Sequence, residues 1–276
     1  MDAGAHKEAG ERAEKARESL RCCRLCPRLC GVDRTGGEKG YCGLDDSVRC
    51  FREVLCWHEE EELRPSHQVY FAGCSLRCGF CTVGEWNKQP EAAEELDGAE
   101  LSKKIAERRK QGARTLNLLG GEPTVSMHGV LELLGRVEPT IRVVLNSNMY
   151  YNDIVEQLVR GFADVYLADL KCGNADCAGR LLGAADYTEV AKRNILEARR
   201  DGEVIVRHLV LPGHGECCVR PILRWLAEKL PEVKLSLRGD YVPPAESDSA
   251  PAEYLRRQEL DSAVDLAKEM GLNLIQ

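Results

Sequence analysis

From about residue 67 the chain alternates short apolar runs rich in strand formers with amphipathic stretches of helical period. "QVYFAG" predicts a strand. "LSKKIAERRKQG" predicts an amphipathic helix closed by Gly112, and "RTLNLLGGEP" a strand that ends in glycines. "VLELLGRV" and "IRVVLNSN" supply the next helix and strand; "DIVEQLVRG" leads into "DVYLADLKC", and "YTEVAKRNILEARRDG" into "EVIVRHLVLPG". "RPILRWLAEKL" then precedes "VKLSLRGDY". That makes about six strands, each but the last followed by a helix, an order that favours parallel pairing through right-handed crossovers. The fold class expected from this order is α/β, as a barrel or an open doubly wound sheet, and "EYLRRQELDSAVDLAKEMG" reads as a covering helix over 249–276.

The first 64 residues follow no such pattern. Residues 1–20 are charged and Ala-rich, read as a solvated arm; residues 21–64 are rich in Cys, Gly and Arg and too poor in apolar groups for a core of their own. The acidic run Glu59–Glu62 reads as a solvated linker before a core over 65–248. With 30% charged residues and a net charge of −7, no broad electrostatic case for nucleic acid exists. The N-terminus lacks an apolar segment of signal-peptide length, and no apolar run reaches the ~20 residues of a membrane span, so a cytoplasmic protein is expected.

Fourteen cysteines in a reducing compartment point to metal or cluster ligation rather than disulfides. Cys74, Cys78 and Cys81 follow the first core strand as a C-x3-C-x2-C triad with no fourth Cys or His close by. In either parallel architecture the loops after the strand ends share one face. That face would collect the triad, Gly120-Gly121-Glu122-Pro123, Asn146-Ser147-Asn148, Asp169-Leu170-Lys171-Cys172 and Arg207. Three soft thiolates suit an iron–sulfur cubane, which keeps one iron open to chelation by a small molecule's amine and carboxylate. The glycines let backbone carbonyls approach such a ligand, and the Glu122 carboxylate can receive its ammonium. Arg207 or Lys171 can answer its carboxylate, and Ser147 and Asn148 suit a ribose.

"CSLRCGFC" resembles the CxxxCx(aromatic)C signature of radical S-adenosylmethionine (SAM) enzymes, with Phe80 in the aromatic slot, and "GGEP" resembles their second motif. "CRLCPRLCGVDRTGGEKGYCG", "VYLADLK" and "VIVRHLVLPG" resemble the branch related to pyruvate formate-lyase-activating enzymes, over roughly residues 21–245. The resemblance implies a partial (β/α)6 TIM-like barrel. It also implies a [4Fe–4S] cluster on Cys74, Cys78 and Cys81, SAM on its open iron, and a low-potential electron donor such as a flavodoxin or ferredoxin. By the same resemblance Gly120 to Glu122 hold the SAM amino group, and Asp169, Lys171 and Arg207 are polar positions around SAM. Reductive cleavage would yield a 5′-deoxyadenosyl radical that takes hydrogen from substrate, with orientation and exclusion supplied by the protein. The third cysteine is followed by Thr82-Val83-Gly84, where that branch commonly carries His-Asn or Gln-Asn. This tilts the reading toward a peptide or small-molecule substrate and away from an activase acting on a glycine of a partner protein. A non-catalytic redox-sensing scaffold explains the cysteines but not the groups at neighbouring strand ends.

Cys23, Cys26, Cys30 and Cys42 form C-x2-C-x3-C-x11-C among glycines and fit zinc or a second [4Fe–4S] cluster. Cys172 and Cys177 follow the fourth strand, and Cys217 and Cys218 the fifth. They read as buried loop thiols, as auxiliary cluster ligands or, for Cys217 and Cys172, as candidate catalytic hydrogen donors. Cys22 reads as a bystander beside Cys23, and Cys50 and Cys56 read as structural. His208 reads as a packing residue, His214 and Glu216 as polar loop residues, and Asp240 and Tyr241 as substrate-side candidates.

Overall fold

The computed structural model describes residues 3–137 and 141–275; the remaining ends of the expected arm and covering segment lie outside the described residues. The strands in chain order are β1 (Arg49–Cys56), β2 (Ser66–Phe71), β3 (Glu94–Glu95), β4 (Thr115–Gly120), β5 (Arg142–Ser147), β6 (Val165–Asp169), β7 (Glu203–Leu209), β8 (Lys234–Arg238) and β9 (Asn273–Ile275). They form one sheet ordered β3-β1-β2-β4-β5-β6-β7-β8-β9, parallel from β2 onward. β3 and β9 stand at opposite ends, so the curved sheet is a partial barrel with six parallel strands, β2 and β4 to β8, at its centre. All six apolar runs expected as strands are strands.

The helices are α1 (Ala3–Glu18), α2 (Gly84–Lys88), α3 (Gly98–Lys110), α4 (Met127–Leu134), α5 (Asp153–Val159), α6 (Ala175–Leu182), α7 (Tyr187–Asp201), α8 (Arg220–Lys229) and α9 (Arg257–Glu269). Local chemistry sets their ends. The Asp97 side chain accepts from the backbone N–H of Ala99 and Glu100 to start α3. The basic residues Arg108 to Lys110 lie in its last turn, where the helix dipole is negative. Asn174 caps α6 through the Cys177 N–H, and Gly183, at φ +67°, stops it.

Strand alternation sorts the side chains into two cores. Val143, Leu145, Tyr166, Ala168, Val204 and Val206 join the outer core under the helices. Val144, Val165, Leu167 and Ile205 form a separate inner cluster with Leu63. Leu63 belongs to the loop between β1 and β2, which runs beneath the strands and is tied to them where Thr115 Oγ1 donates to the Leu63 carbonyl, 2.7 Å. The loop therefore closes the floor of the barrel.

Four features differ from expectation. The N-terminal arm is not solvated: α1 buries Ala9, Ala13 and Ala16 and packs on α4, and Leu20 is buried in the turn that follows it. Its alanines permit close approach, and Arg12 donates to the carbonyls of Gln157, Leu158 and Arg160 at the end of α5. The acidic run is not a solvated linker either. Glu59 and Glu60 are 6% and 0% exposed and point into the barrel, and Glu62 pairs with Lys234. β1 pairs antiparallel with β2, so the sheet continues across the boundary expected near residue 64. Finally, the chain after α9 adds β9 beside β8.

The inward Glu60 meets Arg207 bidentately, at 2.8 Å to Nε and 2.6 Å from Nη2. Burial alone would raise the Glu60 pKa, but the guanidinium outweighs it and holds the carboxyl below its usual range. Glu59 accepts from Ser66 and Asn117, and burial pushes its carboxyl up despite Arg207 nearby.

Glu60→Ala should cost about 3–5 kcal/mol in denaturant unfolding, because it strands a buried guanidinium; Glu60→Met with Arg207→Leu should recover most of that loss. His128 and His208 are buried, and desolvation lowers each pKa to about 4 from 6.5. The unfolded chain therefore binds the extra protons, and stability should be full above about pH 6.5 and decline toward about pH 4. The slope should reach about 1.4 kcal/mol per pH unit for each histidine, and unfolding curves of His128→Gln should show a shallower decline.

Candidate functional site

The cysteine triad leaves β2 through Ala72 and Gly73, at φ +81°. Three backbone contacts seat this loop. Gly121 N donates to Phe71 O at 2.7 Å, Glu122 N donates to Gly73 O at 2.9 Å, and Gly79 N donates to Leu181 O at 2.8 Å. A Cβ on Gly121 would lie 2.1 Å from the Gly73 carbonyl oxygen, and one on Gly120 would lie 2.4 Å from Phe71 N and O. The double glycine is thus the condition for β4 to end against the cysteine loop.

The loops after the strands enclose a cavity of about 450 Å³ whose rim carries Cys74, Cys78 and Cys81. Phe80, Gly120, Gly121 and Asn148 also line it, as do Asp169, Lys171 and Arg207. Two side-chain amides point at the sulfurs: Asn148 Nδ2 lies 3.6 Å from Cys74 Sγ, and Asn87 Nδ2 lies 3.5 Å from Cys81 Sγ. Burial raises the Cys74 pKa well above that of a free thiol, and the charges of Cys78 and Glu122 add to it. Burial brings Cys78 to about 12, with Lys171 pulling the other way. Cys74 and Cys78 give up their protons only when a cationic centre replaces them, and with Cys81 beside them on the cavity this donor set fits a metal cluster.

Lys171 Nζ pairs with Asp169 Oδ2 at 2.5 Å. Burial disfavours the ammonium, but Asp169, Cys78 and Tyr187 outweigh this and hold its pKa above the usual value. Tyr187 fixes the turn, donating to Asp169 O at 2.6 Å and receiving Lys171 N at 3.0 Å. Arg207 lies lower, on Glu60. Each cation that lines the cavity beside the triad therefore already faces a carboxylate of this chain.

Other sequence expectations fall elsewhere. Glu122 is fully buried and not among the lining residues; its carboxylate accepts from Thr124 N, Thr124 Oγ1, Ser147 Oγ and Asn148 N. Burial raises its pKa against those four donors. Glu122 and Ser147 thus brace the lining residue Asn148 from behind. Cys172 is fully buried, and neither it nor Cys217 lines the cavity. Cys217, Cys177 and Cys218 instead gather around His214. His208 is buried and bonded to Leu170 O, which agrees with a packing role on the face of β7 opposite Arg207. Asp240 reaches the cavity but is held by Arg238, and the Tyr241 hydroxyl donates to Pro251 O.

Sequence reasoning passed over Glu59, Gln68 and Tyr70 on the cavity wall, as well as Asn87. The alternation of "SHQVYF" could have placed Gln68 and Tyr70 on one face; nothing in the sequence marked Glu59 as inward.

The chain's similarities agree with this geometry. The family profile described as Radical SAM superfamily matches residues 69–226. An uncharacterised protein of Methanocaldococcus jannaschii is 32% identical over 272 residues, covering 96% of this chain and 79% of that protein. Among solved structures, Streptococcus suis SuiB bound to S-adenosylmethionine superposes with a TM-score of 0.54 at 16% identity, over 73% of this chain and 47% of SuiB. The chain thus spans about half the length of SuiB. A radical SAM methyltransferase from Sphaerobacter thermophilus superposes with a TM-score of 0.53 at 15% identity, over 83% of this chain and 76% of that one. At such identities the likeness is one of fold.

Gly121→Ala should displace the cysteine loop, since the contact it creates is with backbone. Thermal unfolding should show a drop of more than about 1 kcal/mol, and iron uptake on reconstitution should fall with it. Gly112→Ala, whose Cβ would meet nothing within 4 Å but whose φ is +103°, should lower stability and leave iron uptake unchanged.

Proposed function

This chain belongs to the radical SAM superfamily, and from that premise we propose that it acts on a peptide or small-molecule substrate by hydrogen abstraction. When bound, a [4Fe–4S] cluster and SAM supply one-electron cleavage of the sulfonium and a 5′-deoxyadenosyl radical. The reading rests on one observation: Cys74, Cys78 and Cys81 converge on a single cavity whose lining holds no fourth cysteine.

Each side chain then has a definite task. Cys74, Cys78 and Cys81 ligate the cluster, and the amides of Asn148 and Asn87 temper the charge on two of the sulfurs. Gly120 and Gly121 offer backbone to the SAM amino group, with Glu122 acting behind them. Asn148, braced by Ser147, serves the ribose, and Phe80 packs beside it. Lys171 and Arg207 receive the carboxylate only by sharing charge already committed to Asp169 and Glu60, which makes them orienting groups. The walls exclude water, and an external low-potential donor such as a ferredoxin or flavodoxin supplies the electron.

The same proposal makes residues 21–64 a metal-bearing module. Cys26 is pushed to about 12 by burial, with Cys42, Cys30 and Cys23 close enough to add to it. Among the described residues, these four sulfurs are not gathered as closely as the ligand atoms of Cys177, His214, Cys217 and Cys218. That spacing favours a second cluster over zinc. Arg28 links the module to the triad, donating to Ser75 O at 2.9 Å. Among the described residues no helix is long and apolar enough to cross a membrane.

Protein reconstituted without oxygen should convert SAM and a strong reductant into 5′-deoxyadenosine. Cys74→Ala, Cys78→Ala and Cys81→Ala should each reduce this to the protein-free level. A reconstituted protein with full iron and no 5′-deoxyadenosine would favour the redox-sensing scaffold instead.

A further inference from the structure

Cys177, His214, Cys217 and Cys218 gather outside the cavity, and no step of the proposed chemistry uses them. Their ligand atoms all lie within 4.8 Å of one another. From His214 Nδ1 the sulfur of Cys217 is 3.2 Å away, and those of Cys177 and Cys218 are each 3.7 Å away. Hydrogen bonding does not account for this. A ring nitrogen carries one proton or one lone pair, so it can serve one sulfur and not three.

A single ion accounts for all four. With zinc–sulfur bonds of about 2.3 Å and zinc–nitrogen bonds of about 2.0–2.1 Å, a tetrahedral site has S···N edges of about 3.6 Å and S···S edges of about 3.8 Å. The observed sulfur–nitrogen separations bracket the first value. A cubane, whose ligands sit on separate irons, would hold them farther apart.

The scaffold is built for convergence. His214, Cys217 and Cys218 stand at i, i+3 and i+4 around the wide turn Gly215–Val219, where Cys218 N and Val219 N both donate to His214 O. Cys177 comes from the first turn of α6. Asn174, the cap of that helix, donates to Cys217 O at 2.6 Å and to Cys177 Sγ at 3.4 Å, so it braces both halves. The two loops touch at Gly173, where a Cβ would lie 2.6 Å from Cys218 O. Cys177, His214 and Cys218 are all buried.

We propose that Cys177, His214, Cys217 and Cys218 bind one structural zinc ion in a closed Cys3His site that clamps the loop after β6 to the loop after β7. The first of these loops carries Lys171 directly after Asp169 at the end of β6, so the ion fixes one wall of the cavity from outside. Four protein ligands leave no open position, which makes the site structural rather than catalytic. The proposal does not depend on SAM cleavage.

The test is elemental analysis of the full-length protein in a Cys26→Ala/Cys30→Ala background, which removes any zinc held by the N-terminal module. This protein should contain one zinc per chain, and adding Cys177→Ala with Cys218→Ala should remove it while leaving iron unchanged. His214→Cys should keep the zinc, and zinc X-ray absorption should change from three sulfurs and one nitrogen to four sulfurs. Should the double variant fail to fold, the metal-free background protein with Cys74→Ala and Cys78→Ala added, so that the triad does not compete, should give on titration with Co(II) tetrahedral thiolate absorption saturating at one equivalent. Absence of zinc from the background protein, zinc retained by the double variant, iron lost together with zinc, or a Co(II) spectrum without thiolate character would each overturn the proposal.

Discussion

A guanidinium set over a pair of inward carboxylates divides the barrel interior into layers. Below Arg207 the floor is apolar, built from Leu63 and the inward valines, leucine and isoleucine of β5 to β7. Above it the strands end in the thiol-lined cavity. Between them Glu60 is the ionised partner of the arginine, and Glu59 is the carboxyl whose burial opposes ionisation. A wholly apolar interior would give the cavity no polar base, and an unpaired arginine there would be costly to bury. Because the acids come from a loop and the arginine from a strand, one bidentate contact sets both the height of the floor and the pose of a wall residue.

The upper layer depends on backbone proximity more than on side-chain attraction. β4 ends so close to the cysteine loop that neither Gly120 nor Gly121 has room for a methyl group. Glu122 turns away and spends its carboxylate on Thr124, Ser147 and Asn148. The second motif of the superfamily thus works here in two directions. Its glycines face the cavity, and its acid locks the neighbouring strand end that presents an amide to Cys74.

How much of this was legible depends on the range of the interaction. The six core strands announce themselves through local apolar period, and the site follows because parallel strands share an exit face. The interior loop does not, since "EEEE" looks like a solvated surface until Arg207, 147 positions later in the chain, is brought over it. α1 misleads in the same way. Its burial uses alanines at helical spacing, which carry little apolar signal beside so many charges, and only packing on α4 reveals them as an interface. β1 was hidden because its charged residues Arg49, Arg52 and Glu53 follow no period-2 alternation and it lies within a cysteine-rich segment. His214 had a clue in its i, i+3, i+4 spacing to Cys217 and Cys218, but the fourth partner, Cys177, comes from another loop.

The floor loop also has a place in time. It leaves the ribosome before any of the six parallel strands that will surround it, so during synthesis its acids must wait in water until β7 delivers a counter-charge. Assembly from the N-terminus can join β1 to β2 early, but the interior cannot dehydrate until more than two hundred residues have been made. The barrel therefore wraps a plug already in position instead of swallowing one afterwards, and its last strands act as the lock on an otherwise open sheet.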